Sequence, residues 1–513
     1  MSQAPLMLGV SGLRGITGQS LTPEVAERFA RAFGVWLRSI RDEYSPDDYT
    51  PRVVVGRDGR AGGEIIAEAA IRGLLEAGCR VANVGVASTP SIGHHMRCSY
   101  HAGLVVTASH NPQEWNGLKC LLLDMGDLDV SAPSSATAQA IIEVFRAPPR
   151  DLGPPPEPPT REEVPGAAEN HSGTVVVSLD KGTCDQIEQR RFHVVLDSVN
   201  ASGAWCGRYL LEDLRCRLEH LNADPSGLFP HPPEPTRENL TSLCDAVRAH
   251  NADIGFAQDP DADRLAIVDE RGHYIGEEYT LALAAESLLG VPRHSVPGRS
   301  SSPTDRLGEP GYTLVTNLST SRMLDDLAAR HGARVIRTPV GEANVVEAMK
   351  REKAAGANVV LGGEGNGGVI WPRVTYVRDS LSAMALVLAL MARSGKTVSQ
   401  LVADLPRYAI EKRKVDLARK EDAAPAIAKL KSFYSGTGVP PVSSSSTGVP
   451  PVGPQRIDLQ DGIRIDFTTG PRAGKAWLHV RASNTEPIMR LIAEAPTEPD
   501  ARAILDEAAA IIG

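Results

Sequence analysis

Thr107-Ala108-Ser109-His110-Asn111-Pro112 places a hydroxyl, an imidazole and an amide directly after the apolar run Gly103-Leu104-Val105-Val106. An apolar strand that stops at small, polar, turn-forming residues leaves the serine hydroxyl at the end of a sheet. In open α/β folds that end is where ligands bind. A second cluster, Asp259-Pro260-Asp261-Ala262-Asp263-Arg264, alternates three carboxylates between the strand-like Ile254-Gly255-Phe256 and Leu265-Ala266-Ile267-Val268. Three such charges repel one another unless something positive sits among them. A hard divalent cation, Mg²⁺ before Ca²⁺, meets that need. The glycine and distant glutamate of an EF-hand are missing, and the alternative is a solvated acidic turn.

Two further clusters follow. Gly362-Gly363-Glu364-Gly365-Asn366-Gly367-Gly368 sets a carboxylate and an amide two residues apart among five glycines, after the apolar Val359-Val360-Leu361. Glycines let backbone approach a ligand closely, and Glu364 with Asn366 offers acceptors and donors suited to sugar hydroxyls. In an extended loop both side chains would project the same way. Arg481-Ala482-Ser483-Asn484-Thr485-Glu486-Pro487 follows the strand-like 476–480. It holds a guanidinium, hydroxyls, an amide and a run of N–H groups, the inventory of a phosphate cradle. The Walker pattern of Gly and Lys is absent.

The elements that position these clusters alternate. Thr22-Pro23-Glu24 reads as N-cap, N1 and first-turn acid of a helix, and Val25, Phe29, Phe33 and Leu37 recur along one face of it. A strand at 52–55, a helix over 64–77 with Gly78 as C-cap, a strand at 80–84 and a helix over 91–100 lead into the serine strand. The pattern restarts at His193-Val194-Val195-Leu196-Asp197 and again at Tyr312-Thr313-Leu314-Val315-Thr316. A buried helix is predicted over 379–394, and strands at 461–467 and 476–480 precede a C-terminal Ala/Ile helix. Prolines between 148 and 159 mark a linker. Two segments read as insertions: the Ser/Pro/Gly-rich 299–309, and 437–452, where Thr-Gly-Val-Pro-Pro-Val occurs twice around four serines.

Composition excludes several classes. A chain of 513 residues is long enough for three or four domains. A net charge of −9 argues against a nucleic-acid partner. Seven cysteines without a Cys-x-x-Cys suggest neither a disulfide framework nor a zinc site, which fits a reducing cytoplasm. Residues 1–10 have no basic region before an apolar stretch, so no secretory signal is read there. The longest apolar run, 385–392, is too short for a bilayer.

In this order, the four clusters resemble the α-D-phosphohexomutases, a superfamily of phosphoglucomutases, phosphomannomutases and phosphoglucosamine mutases. The resemblance covers nearly the whole chain, and Ser11-Gly12-Leu13-Arg14-Gly15 resembles the family's opening phosphate-contacting segment. It implies an α/β chain with three similar mixed-sheet α/β domains and a smaller C-terminal α+β domain around a central cleft. The expected divisions are 1–155 with the serine loop, 165–274 with the metal loop, 275–396 with the sugar loop and 397–513 with the phosphate loop.

The resemblance also implies the chemistry. A phosphorylated Ser109 would donate to a hexose monophosphate, and a hexose 1,6-bisphosphate would be intermediate and activator. Asp259, Asp261, Asp263 and the phosphorylated Ser109 would hold Mg²⁺, and Arg264 would pair with the same phosphate. Lys119, in Asn116-Gly117-Leu118-Lys119, matches the acid/base, with a pKa expected to be lowered by the cation; the alternative is a surface lysine. His110 would orient the serine loop. Arg14, Arg481, Ser483, Asn484 and Thr485 would bind the non-reacting phosphate. Many bacterial members carry Gly-Glu-Xaa-Ser-Gly-His in the sugar loop, where Asn366 and Gly368 stand here, and Gly-His near Thr338-Pro339-Val340-Gly341-Glu342. This pair of motifs looks more like the archaeal-type phosphoglucosamine mutase branch. Glu342 would then pair with the ammonium of an amino sugar, or serve only as a helix N-terminal acid. Phosphoglucomutase/phosphomannomutase activity is the alternative; a serine-phosphate phosphatase and a non-catalytic sugar-phosphate sensor lie outside the class. The partner is a phosphohexose, without nucleic acid or membrane, and the state expected is a monomer or homodimer.

Overall fold

The computed structural model describes residues 6–10, 12–40, 50–124, 126–127, 129–148, 153–290, 311–435, 455–482 and 487–513. Both inserted segments, 299–309 and 437–452, lie outside them, as do Ser11 and Ser483 to Glu486. The first sheet is built from β1 (Met7–Gly9), β2 (Gly12–Ile16), β3 (Arg52–Arg57), β4 (Arg80–Val86), β5 (Ala102–Val106), β6 (Trp115–Asp124), β7 (Asp129–Ser131) and β8 (Arg161–Glu163). Its order is β1-β2-β6-β5-β3-β4-β8, with β7 on β6. The proline-rich linker therefore returns to this sheet: β8 lies beyond it and pairs with β4 in parallel.

The second sheet contains β9 (His193–Asp197), β10 (Arg217–Leu221), β11 (Ile254–Gln258) and β12 (Leu265–Val268), in the order β10-β9-β11-β12. The third contains β13 (Tyr312–Asn317), β14 (Arg334–Thr338), β15 (Asn358–Glu364) and β16 (Gly368–Ile370), in the order β14-β13-β15-β16. Within the first sheet, β4-β3-β5-β6 repeats that arrangement. In all three, the first three strands are parallel and the fourth turns back antiparallel. Three copies of one hairpin thus leave the carboxyl ends of three parallel strands, where α/β sheets place ligands. Their turns are 107–114, 259–264 and 365–367: the serine, aspartate and sugar clusters.

Each turn contains one left-handed residue: Ser109 at φ +52°, Ala262 at φ +51° and Gly367 at φ +83°. Glycine adopts this without cost, whereas a residue with a Cβ pays roughly 1–2 kcal/mol. Strain in the first two turns is therefore held where the chemistry is expected. The sugar cluster is not the extended loop read from sequence. Gly362 to Glu364 complete β15, and only three residues turn. Antiparallel pairing between β15 and β16 fixes Glu364 opposite Gly368.

The fourth sheet is antiparallel, β17 (Ala409–Asp416), β18 (Arg456–Asp458), β19 (Ile463–Asp466), β20 (Trp477–Ala482) and β21 (Ile488–Ala495), in the order β17-β21-β20-β19-β18. Helices Ala423–Tyr434 and Glu498–Ile512 pack on it around Leu430, Leu478, Leu491 and Ile504.

The helix Ser380–Ser394 is buried without interruption from Ser380 to Met391, the pattern of a core helix. Asp379 caps it, accepting from the N–H groups of Leu381 and Ser382. One apolar core runs from Ala168 through this helix to Leu405, so the second and third units share their interior. Among the described residues no single helix is long and apolar enough to cross a membrane. The helix predicted over 91–100 begins earlier, at Thr89, because Ser88 caps it by accepting from Ser91 N–H, and it ends at Met96.

Candidate active site

Ser109 Oγ donates to Asp259 Oδ2 at 2.9 Å, joining the first hairpin turn to the second. Ser109 N–H donates to Thr107 Oγ1 at 2.8 Å, and Thr107 Oγ1 donates to Asp58 Oδ2 at 2.7 Å. Asp58 forms a buried 3.1 Å ion pair with Arg60. The Arg60 guanidinium then donates to the carbonyls of Ser109, Pro112 (3.2 Å) and Trp115. One arginine therefore gathers both ends of the serine turn and holds the left-handed Ser109 in place. Breaking a buried ion pair costs about 3–5 kcal/mol. Arg60→Met is thus expected to lower the melting temperature. It should also cut turnover by about ten- to hundredfold, because a small misplacement of a reacting group has that effect. Calorimetry and steady-state kinetics check the two parts.

His110 Nδ1 stands 3.5 Å from Ser109 Oγ. Burial, then Arg264 and Arg14, push this imidazole down to about 3. It is neutral near pH 7 and a weak base, which suits orienting a hydroxyl better than removing its proton.

Asp259, Asp261 and Asp263 are fully buried, each offering an oxygen within 4.8 Å of the others. Asp259 Oδ1 accepts from the N–H groups of Asp263 (3.1 Å) and Arg264 (3.0 Å). Asp261 Oδ2 accepts from Thr89 Oγ1 at 2.7 Å. Asp261 Oδ1 and Asp263 Oδ1 are buried without a hydrogen-bond partner. Burial, then Asp263 and Asp261, raise the Asp259 carboxyl well above its ordinary value. Orphaned buried oxygens in a mutually repelling triplet fit a divalent cation with oxygen ligands. Arg264 lies alongside, its Nε 3.9 Å from Asp263 Oδ1 and without a hydrogen bond.

Lys119, on β6, is buried, with Nζ 3.2 Å from Asp263 Oδ2 and 3.5 Å from Glu342 Oε2. Among these groups its pKa is raised. Burial acts to lower it, but Glu342, Asp263 and Asp261 outweigh that. Glu342 opens the helix Glu342–Ala354. Its Oε1 accepts from Arg378 N–H at 3.0 Å, and its Oε2 lies 3.6 Å from Arg378 Nε. Glu342 is therefore engaged by Lys119 and Arg378 and is no free partner for a sugar ammonium.

Arg378 is the second arginine that sequence reading missed. It donates to Asp263 Oδ2 at 2.6 Å and to Glu364 Oε2 at 2.9 Å, tying the aspartate turn to the sugar turn. Glu364 Oε1 accepts from Asn317 Nδ2 (2.8 Å) and Gly341 N–H (3.2 Å). Asn366 Oδ1 accepts from the N–H of Gly368, the first residue of β16. The sequence signal for these arginines was charge at an apolar element's end: Arg57-Asp58-Gly59-Arg60 at the end of β3, and Arg378-Asp379 before the core helix.

A cavity of about 570 Å³ opens between the turns, bounded by His110, Glu364, Asn366, Lys412, Arg481 and Arg490 among others. Arg481 on β20 forms a 3.1 Å pair with Asp461. Ser483, Asn484 and Thr485 lie outside the described residues. Arg14 does not stand with Arg481. Its guanidinium donates to Asn111 Oδ1 at 3.1 Å and feels Asp261 and Asp263, so it belongs to the serine side. The register of β2 against β6, Arg14 opposite Gly117, explains this placement.

Four family models match along the chain. They are the phosphoglucomutase/phosphomannomutase alpha/beta/alpha domains I (5–145), II (175–272) and III (300–408), and the C-terminal domain (412–511). A phosphoglucomutase/phosphomannomutase of Thermococcus kodakarensis is 35% identical over 98% of this chain and 97% of its own. A probable phosphoglucosamine mutase of Methanopyrus kandleri is 31% identical over 97% and 96%. The crystal structure of a phosphoglucomutase/phosphomannomutase family protein from Burkholderia thailandensis is similar with a TM-score of 0.75 at 25% identity, covering 99% of this chain and 98% of that one. With all four domain models in order and relatives matched end to end, the chain belongs to the phosphoglucomutase/phosphomannomutase family of phosphohexomutases.

Proposed function

We propose that this enzyme moves a phosphoryl group between O1 and O6 of a hexose through phosphorylated Ser109 and a hexose 1,6-bisphosphate, with glucosamine phosphates preferred. The observation that carries the reading is the 2.9 Å contact of Ser109 Oγ with Asp259 of the aspartate triplet, in a turn whose next residue, His110, lines a cavity also lined by Lys412, Arg481 and Arg490. O1 and O6 of a hexose are too far apart for one direct transfer. A covalent intermediate divides it into two in-line displacements. In the first, a sugar hydroxyl oxygen bonds to phosphorus as the bond to Ser109 Oγ breaks. The hydroxyl gives up one proton and Oγ gains one. After the bisphosphate turns over, the reverse displacement returns the other phosphoryl group to Ser109.

Asp259, Asp261 and Asp263 would hold Mg²⁺, which when bound neutralises phosphoryl charge and makes the seryl oxygen a better leaving group. Arg264 and Arg14 stand on the same side to pair with phosphoryl oxygens. Lys119 holds its proton beside Asp263, placed to give it to a departing oxygen and recover it from the attacking hydroxyl. Lys119→Met is expected to reduce turnover by about 10²–10⁴-fold, as measured in a coupled isomerase assay. Arg481 and Arg490, with the basic edge of β17, would anchor the phosphate that does not react.

The preference for glucosamine rests on the Gly-Glu-Gly-Asn-Gly-Gly turn and on the Methanopyrus relative's name. The Thermococcus relative favours a second reading, glucose and mannose phosphates. Side-by-side turnover of the three 1-phosphates, primed with hexose 1,6-bisphosphate, decides between them. Release of inorganic phosphate faster than isomerisation would instead indicate a phosphatase.

A further inference from the structure

Glu278 differs from the other acids around the cavity. It lies in the first turn of the helix Glu277–Leu289 and faces the sugar turn. Its Oε2 accepts from Ser321 N–H at 2.9 Å, and among the described residues no cation pairs with it. Glu364 commits both oxygens to Asn317, Gly341 and Arg378. Glu342 is held by Arg378 and Lys119. Glu234 lies out by His110, at 3.9 Å. Lys412 lines the same cavity and donates to Glu277 instead.

Gly365 is explained by the same carboxylate. A Cβ at 365 would lie 2.0 Å from Glu278 Oε2 and 2.2 Å from Oε1. The glycine leaves the space in which the carboxyl group rests against the turn. Burial pushes this carboxyl up to about 8, with Lys412 opposing and Glu277 and Glu494 adding to the rise. An acid held in a cavity without a counter-ion is matched by a ligand that brings its own. A hydrogen bond from an ammonium to a carboxylate is roughly twice as strong as one between neutral groups, so an amine is favoured there over a hydroxyl.

We propose that Glu278, seated against Gly365, binds the C2 ammonium of an amino-hexose phosphate in this cavity and sets the preference for amino over hydroxy sugars. The inference deepens the proposed function and rests on its glucosamine reading.

The test is the ratio of kcat/KM for glucosamine 1-phosphate to that for glucose 1-phosphate, in the native enzyme, Glu278→Gln and Gly365→Ala. Glutamine keeps the acceptor for Ser321 N–H but cannot carry charge; the alanine Cβ displaces the carboxylate. Both variants are expected to lower the ratio about tenfold or more, since a charged hydrogen bond is exchanged for a neutral one. A ratio within about twofold of native in both variants overturns the role of Glu278 while leaving the substrate reading intact. A native enzyme that turns over glucose 1-phosphate but not glucosamine 1-phosphate overturns both.

Discussion

Ser109→Ala is expected to abolish isomerisation, with kcat falling by about a thousandfold or more, as when a covalent nucleophile is removed from a catalytic group that acts as a unit. The substitution removes one atom, Oγ, and with it the hydrogen bond to Asp259 and the 3.5 Å contact with His110. Alanine already occupies the equivalent left-handed position in the aspartate turn, at Ala262. The turn's other anchors, Thr107 Oγ1 and Arg60, do not involve Oγ. The variant should therefore fold and melt like the native protein, which separates loss of chemistry from loss of structure. A second readout is independent of turnover. Native protein incubated with hexose 1,6-bisphosphate should gain one phosphoryl group by intact mass spectrometry, and the alanine variant none. Persistent isomerisation, or phosphorylation at another residue, would remove the basis for the mechanism.

The chemistry-bearing turns were legible in the sequence because each is contiguous. Strand 102–106 stops at Thr107, and strand 254–258 stops at Asp259, so apolar run and polar turn adjoin within ten residues. The threefold repeat was legible as a restart of the same alternation. What was not legible acts across long separations. Arg60 reaches Ser109 from 49 positions away, and Arg378 reaches Asp263 from 115. Neither carries a local signal beyond a charged residue near an element's end. The acids around Lys119 were illegible for the same reason: Asp263 and Glu342 come to it from the second and third units. Arg14 is expected at the distal phosphate, yet β2 lies between β1 and β6 in the first sheet, and its pairing with β6 carries Arg14 to Asn111. Glu342 illustrates a different limit. Its position at a helix start was read correctly, while its partners depended on where Lys119 and Arg378 arrive.

The aspartate triplet makes a prediction of opposite signs for stability and activity. Asp259, Asp261 and Asp263 crowd three carboxylates into a buried space, and two of their oxygens have no partner. Arg378 and Lys119 offset Asp263, whereas Asp259 forms no ion pair among the described residues, so without a cation its charge opposes folding. A carboxyl whose folded pKa lies above its unfolded value of about 4 takes up a proton on folding, so stability falls as pH rises through that interval. Asp259 is such a group, through burial and then Asp263 and Asp261. Asp259→Asn removes one charge but keeps an oxygen able to accept from the Asp263 and Arg264 N–H groups. At pH 7 in EDTA the variant is therefore expected to be more stable than the native protein. The gain follows from the raised Asp259 pKa, through burial first and then Asp263 and Asp261, and thermal melts in EDTA read it. Added Mg²⁺ should raise the native melting temperature and leave that of the variant nearly unchanged. Isomerase activity should fall roughly a hundredfold or more, because a bound cation supplies several kcal/mol of charge stabilisation in the transition state. A variant less stable than native in EDTA would mean that the triplet is satisfied as it stands and is no cation site. Equal magnesium responses in both proteins would place the ion elsewhere.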